Sequence, residues 1–288
     1  MATVTSLNYY SFAFNGFVFG GAGSPYQILS VDGLESLPNI RNQDDNRGYA
    51  DGMFTGNDFL SGRTVTITVN TFAGNGNSAQ TNYNLLQSNL LPQTTGTTPL
   101  QFQLSPSGGL QVINARVRTE KTVVDPNYTY GYITSQYTFF CADPRYYDNT
   151  VQSASMTVSN PLGRTYPRVY PLTYGGGSVA TTTNVANNGW ATTYPTITLN
   201  GPITNPVLGN VTQGKYITIQ GTFANTDTLV LNLDQKLITY NGNAARNLLA
   251  GNSNWFSAQP GTNQFYLTGS GTLAGTTAAT VTWQNAYI

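Results

Sequence analysis

Asp44, Asp45, Asp51 and Asp58 fall within the twenty residues from Asn39 to Asp58, alongside Arg41 and Arg47. They are four of the chain's twelve acids, and carboxylates this dense suggest a cation site or acid–base chemistry. Their spacing does not match a calcium loop, so the segment reads better as a solvated, mobile loop. The chain has no histidine. That removes Ser-His-Asp and Cys-His catalysis together with the commonest zinc ligand. Glycoside hydrolysis needs two carboxyl groups defined by geometry, which twelve acids leave open, yet only Glu35 and Glu120 are glutamates. No phosphate loop or dinucleotide fingerprint is present. The expectation is a protein without catalysis, cofactor or metal.

Aromatic residues are the remaining candidates. Trp190, Trp255 and Trp283 stand with nineteen tyrosines, and such rings stack on sugars or anchor protein interfaces at low entropic cost. Trp283 alternates with Val281 and Ala279 on one strand face, which reads as core. Trp190 follows Asn187-Asn188-Gly189 in a loop and is the expected exposed contact residue. Cys141, the one cysteine, follows Phe139-Phe140. It reads as a small buried hydrophobe and excludes an intrachain disulfide.

Composition narrows the partners. Charged residues make up 8% of the chain, where about 25% is ordinary. The net charge is zero, so nothing steers the protein to nucleic acid or anionic lipid. A surface wet by amides and hydroxyls but nearly uncharged favours self-association. No stretch approaches the roughly 20 apolar residues of a membrane span, and Met1 to Ser6 lacks the character of a signal peptide. Asn127-Tyr128-Thr129 and Asn210-Val211-Thr212 match the glycosylation pattern but carry no weight without a secretion signal.

The elements that must position these residues are mostly strands. Phe12 to Phe19 reads as a hairpin around Asn15-Gly16, and Tyr26 to Val31 as a strand turned by Asp32-Gly33. Arg63 to Val69 alternates cleanly. A helix follows, capped by Asn77 or Ser78, with Ala79, Tyr83, Leu86 and Leu90 on one face and Pro92 as its stop. Leu100 to Leu104, Leu110 to Thr119 and Tyr128 to Phe140 read as strands up to Asp143-Pro144, which breaks the pattern. Beyond it, Tyr166 to Tyr174 with Pro167 and Pro171 reads as an edge or crossover, and Gly175 to Gly177 as a flexible loop. Short strands then alternate with turn signals to the end, as in a β-sandwich or jelly roll. The chain is therefore expected to be mainly β and to form two domains, 1–147 with one helix and 148–288.

In its motifs and their order the sequence resembles the distal tail proteins of long-tailed phages. In the first half these are Val31-Asp32-Gly33, Ile40-Arg41, Asp51-Gly52, Arg63 before an alternating strand, and the closing Asp143-Pro144-Arg145-Tyr146. In the second they are Asn187-Asn188-Gly189, Ile203-Thr204-Asn205-Pro206, Asn241-Gly242 and Pro260-Gly261-Thr262-Asn263. The resemblance implies an N-terminal β-sandwich or split barrel with a helix, which builds a homohexameric ring around a channel for DNA in transit. It also implies an outer, galectin-like sandwich that braces tail-tip or baseplate proteins or contacts a host glycan. The tail tube would be the other neighbour, and the virion tail tip, assembled in the host cytoplasm, the location. On this reading at least two of Asp44, Asp45, Asp51 and Asp58 face the channel. A receptor- or carbohydrate-binding tail protein is the alternative, and a tail-tube or other minor tail protein a third reading.

Overall fold

The computed structural model describes residues 3–73, 76–158, 181–270 and 277–288. The chain divides into two compact units, Met1–Asn149 with Ile288, and Thr150–Tyr287.

In the first unit, strands β1 (Ser11–Phe14) and β2 (Phe17–Gly20) form a hairpin whose central pair is Phe14 and Phe17. Asn15 and Gly16 have φ of 51° and 83°, the two positive values that a two-residue turn of the primed type requires. The rings of Phe12, Phe14 and Phe19 are buried. Phe12 stacks with Phe19 at 5.8 Å, and Phe14 meets Phe139 edge-on at 5.5 Å. Strand β3 (Tyr26–Asp32) pairs with β4 (Arg63–Phe72). Along β4 the positions of Arg63, Val65, Ile67, Val69 and Thr71 face inward and are buried, as period-two geometry dictates.

Helix α1 (Gly76–Asn89) buries Ala79, Leu86 and the adjoining Leu90. Asn77 and Ser78 lie inside its first turn rather than at its cap, because the helix starts earlier than the apolar period does. Strand β5 (Thr98–Gln103) pairs with β1. Strand β6 (Gln111–Val123) belongs to two sheets. Its first part, Gln111–Ala115, pairs with β5, and its second, Arg116–Val123, with β7 (Tyr132–Cys141). The register shifts between Val117 and Thr119, a bulge at the point where the strand turns the corner between sheets. One sheet thus runs β2-β1-β5-β6, with the short β8 (Tyr146–Asp148) also on β6, and the other runs β6-β7-β4-β3. This is the expected split sandwich with one helix.

The strand expected from Tyr128 starts later, at Tyr132. Pro126–Tyr130 forms a single 3-10 turn, capped by the Asp125 carboxylate on the Asn127 amide at 2.9 Å and ended by left-handed Gly131. Proline and glycine override the strand preference of Tyr-Thr-Tyr there.

Among its described residues the second unit has two antiparallel sheets. The first contains β9 (Gln152–Thr157), β11 (Thr196–Asn200), β14 (Thr228–Asn232), β15 (Leu237–Tyr240) and β17 (Thr277–Trp283), in the order β9-β17-β11-β14-β15. The second contains β10 (Thr182–Asn187), β12 (Ile203–Asn210), β13 (Lys215–Thr218) and β16 (Gly261–Ser270), in the order β10-β16-β12-β13. Ile197, Leu199, Leu231 and Val281 of one sheet share a core with Val185, Leu208, Phe265 and Leu267 of the other, so the unit is a β-sandwich. The Tyr166–Tyr174 crossover and the Gly175–Gly177 loop fall outside the described residues.

Candidate functional site

Arg63 is 2% exposed, although it stands at the mouth of an alternating strand where a solvated side chain is the usual outcome. Its parity with Val65 and Ile67 turns it inward. Nε donates to the Pro144 carbonyl at 2.9 Å, and Nη1 donates to the carbonyls of Gly33 (3.2 Å) and Leu34. The guanidinium lies 5.8 Å from the Tyr146 ring centre. Desolvation lowers its pKa, and Tyr146 and Cys141 oppose that. Three motifs far apart in sequence, Asp32-Gly33, Arg63 and Asp143-Pro144-Arg145-Tyr146, therefore meet at one buried cation. Gly33 is required here twice over. Its φ is +78°, and a Cβ would strike the Thr64 carbonyl oxygen. Beside the node, Asp143 takes two bonds from Arg145, at 2.7 Å and 3.0 Å, and one from the Tyr147 hydroxyl at 2.6 Å.

The acidic segment is solvated but is not a loop. Ile40–Arg41 pairs with Phe59–Leu60, and farther out Asp45–Asn46 pairs with Met53–Phe54. The Ser61 amide closes the base on the Asn39 carbonyl at 2.8 Å, and the Arg47 amide closes the tip on Gly52 at 3.3 Å. The result is a hairpin arm with two short ladders. Asp44 ties its strands together, accepting from the Gly56 amide at 2.9 Å and from Asn42 at 3.2 Å. Asp45, Asp51 and Asp58 are exposed. Arg41 and Arg47 lie over the rings of Phe59 and Phe54, at 5.6 Å and 5.1 Å, instead of pairing with these acids. The arm also exposes Ile40, Tyr49, Met53 and Phe54. Among the described residues no group of acids and cysteine is placed to hold a metal ion, and no helix is long and apolar enough to cross a membrane.

Both glutamates are found in structural surroundings. Glu120 accepts bonds from Tyr83 (2.7 Å), Gln87 (3.1 Å), Thr122 (3.1 Å) and Tyr137 (3.3 Å), which fastens α1 to β6 and β7. Burial raises the Tyr137 pKa, and the neighbouring Glu120 adds to the rise. Glu35 lines an open cleft of about 290 Å³ with Tyr9, Tyr10, Leu34 and Leu104. Cys141 is fully buried, and desolvation pushes its thiol up to about 12.

In the second unit Trp190 is 64% exposed, its ring edge-on to Tyr287 at 4.6 Å. The corner that presents it is built by Asn187, which is buried. Its Nδ2 donates to the carbonyls of Ala191 (2.7 Å) and Ala258 (3.3 Å), and its Oδ1 accepts from the amides of Gly189 (3.2 Å) and Ala286 (3.3 Å). Gly189 passes so close to the Ala286 backbone that no Cβ fits. Trp283 is buried and donates to the Ala186 carbonyl at 2.8 Å, while Trp255 packs partly buried on the core. Asn210 is fully buried and donates to the Ser257 carbonyl at 2.9 Å, so the acceptor nitrogen of this Asn-Val-Thr is closed off from a sugar although Val211 and Thr212 are exposed.

This corner begins the stretch that similarity picks out. Residues 188–287 match the family described as siphovirus-type tail component, C-terminal domain. Over that stretch, about a third of its length, the chain is similar to this family. The fold of the chain resembles the crystal structure of the SPP1 Dit protein, described as a paradigm of the hub adsorption apparatus in phages infecting Gram-positive hosts. The TM-score is 0.67 at 17% identity, over 96% of this chain and 99% of that one. A chain of the phage P2 baseplate in its activated conformation with calcium matches at a TM-score of 0.49 and 12% identity, over 93% of each chain. No curated protein matches the sequence. The Arg63 node and the Asn187 corner are the buried supports of this fold. The arm and the Trp190 face are its exposed features. In the sequence both residues stand out only as members of motifs, Arg63 before an alternating strand and Asn187 in Asn187-Asn188-Gly189, and nothing local marks either as a buried support.

Proposed function

We propose that this protein is the distal hub of a long-tailed phage, a structural ring that joins the tail tube to the tail tip or baseplate. The observation that carries the reading is the likeness of fold along the whole chain to the SPP1 Dit protein. The N-terminal unit closes a ring of copies, six on the resemblance, around the channel through which DNA passes. The C-terminal sandwich faces outward and braces tip proteins, with Trp190 among the bracing contacts. The protein does its work in the virion after assembly in the host cytoplasm, and it acts by holding neighbours rather than by catalysis. A chain with 8% charged residues suits this role, since permanent subunit faces gain more from packing and amide hydrogen bonds than from solvated charge.

We further propose that at least two of the four arm carboxylates, Asp44, Asp45, Asp51 and Asp58, face the channel. Like charges there repel the nucleic-acid backbone and keep it from adhering in transit. Negative-stain microscopy of the purified chain tests the ring. Closed rings with a central channel are expected, and a monomer or trimer at every concentration would overturn the reading.

A further inference from the structure

Two exposed surfaces of the first unit are complementary in character. The outer half of the arm, Asp45 to Phe54, carries the carboxylates of Asp45 and Asp51 and one cation, Arg47, which rests on the Phe54 ring at 5.1 Å, beside exposed Tyr49, Met53 and Phe54. The second half of β6 carries Arg118 and Lys121, both exposed. It runs on to exposed Val123 and Val124, and the exposed pair Phe72 and Tyr132, with ring centres 4.7 Å apart, lies on the neighbouring strands. Asp45, Asp51, Arg118 and Lys121 have no ion pair among the described residues. Arg118 rests on the Phe140 ring at 3.9 Å, which orients the guanidinium without neutralising it. Both surfaces are open in the single chain, so neither covers the other. Beyond the bulge, moreover, β6 pairs among the described residues with β7 alone, so its other edge carries no strand partner there.

The sizes agree as well. At roughly 3.3 Å per residue, the arm from Asp45 to Tyr49 reaches about 13 Å and the strip from Arg118 to Val123 runs about 17 Å. An acidic, aromatic finger therefore has a cationic, apolar strip of its own length to lie on, and only a second copy offers that strip uncovered. We infer that the arm tip of one copy docks on the Arg118–Val124 strip of the next copy, apolar side chains filling the centre and Asp45 and Asp51 meeting Arg118 and Lys121 at the rim. This rests on the ring reading and adds the surface that closes it. It leaves Asp44 and Asp58, nearer the base of the arm, for the channel. An edge strand bearing Arg and Lys resists promiscuous pairing, and here the same charges select one partner.

Charge reversal in the full chain, followed by light scattering across a concentration series, tests the contact. Asp45→Lys with Asp51→Lys, and separately Arg118→Glu with Lys121→Glu, should each raise the midpoint concentration of assembly about tenfold or more. That is the effect of losing two rim pairs and adding repulsion. The fourfold swap should return the midpoint to within about threefold of the wild type, because the pairs are restored with opposite sense. Recovery in the swap also excludes simple misfolding of the double variants. If the wild type assembles and the reversals change nothing, the arm contact is wrong and the ring closes elsewhere. Loss of assembly in both double variants and in the swap also overturns it. A wild type that never assembles removes the ring reading and this contact together.

Discussion

At the scale of single residues, Arg63 carries the most structure per atom. It holds the carbonyls of Pro144, Gly33 and Leu34, and a buried carbonyl that loses its donor costs about 1–3 kcal/mol. Arg63→Ala should therefore destabilise the first unit by about 3 kcal/mol or more, read as a lower midpoint of its unfolding transition in urea. Arg63→Lys should recover only a minor part, since an ammonium lacks the fork that reaches Pro144 on one side and Gly33 on the other. An unchanged midpoint in Arg63→Ala would show that the node is not a support. Cys141 gives a pH prediction of definite sign. Its thiol titrates near 12 in the fold against 9.0 when unperturbed. The native state therefore keeps a proton that the unfolded chain has already lost. The stability this represents is complete below pH 9 and is lost as the pH rises toward 12. At pH 8 the thiol should resist alkylating reagents until denaturant is added, and prompt labelling of the native protein would contradict its burial.

At the scale of elements, α1 is held by an apolar stripe and by one carboxylate. Glu120 collects four donors from α1, β6 and β7. Removing it takes the carboxylate acceptor from the hydroxyl of Tyr137, a fully buried side chain. Glu120→Ala should cost about 2 kcal/mol, with Tyr83→Phe costing less, by the same urea measurement. Equal stability in both would mean the stripe of Ala79, Leu86 and Leu90 suffices alone. This element also shows what could be read in advance. Its apolar spacing places the helix correctly, and the alternation of Arg63 to Val69 places β4, because burial of one face forces a period on the sequence. The arm has no such signature. Each of its ladders is two residues long, both faces are exposed, and its acids gave the composition of a loop. Where nothing is buried, nothing periodic is written. Glu120 was invisible for a related reason, since its partners lie on three elements and no local pattern brings them together.

For the whole molecule the question is which half assembles. The division lies between Asn149 and Thr150, a little beyond the expected break after Tyr147. The extra residues belong to the first unit by their bonds. Gln111 and Val112 pair with Asp148 and Tyr147, the Asn149 amide donates to Leu110 at 2.8 Å, and Gln101 donates to Asn149 Oδ1 at 2.7 Å. A cut after Tyr147 would unzip this strand, so the fragments to compare are 1–149 and 150–288. The first contains its own core around Phe12, Phe102 and Phe139, the Arg63 node, and both the arm and the β6 strip. The second contains a sandwich core of its own. Units with separate cores generally fold apart. Light scattering should find 1–149 as a ring-sized assembly that the Asp45→Lys, Asp51→Lys pair disrupts, and 150–288 as a monomer. A monomeric 1–149 beside an assembling 150–288 would move ring closure to the sandwich and make the arm an outward contact. Failure of both fragments to fold would mean that each unit depends on the other for its stability, and that the ring is a property of the joined chain.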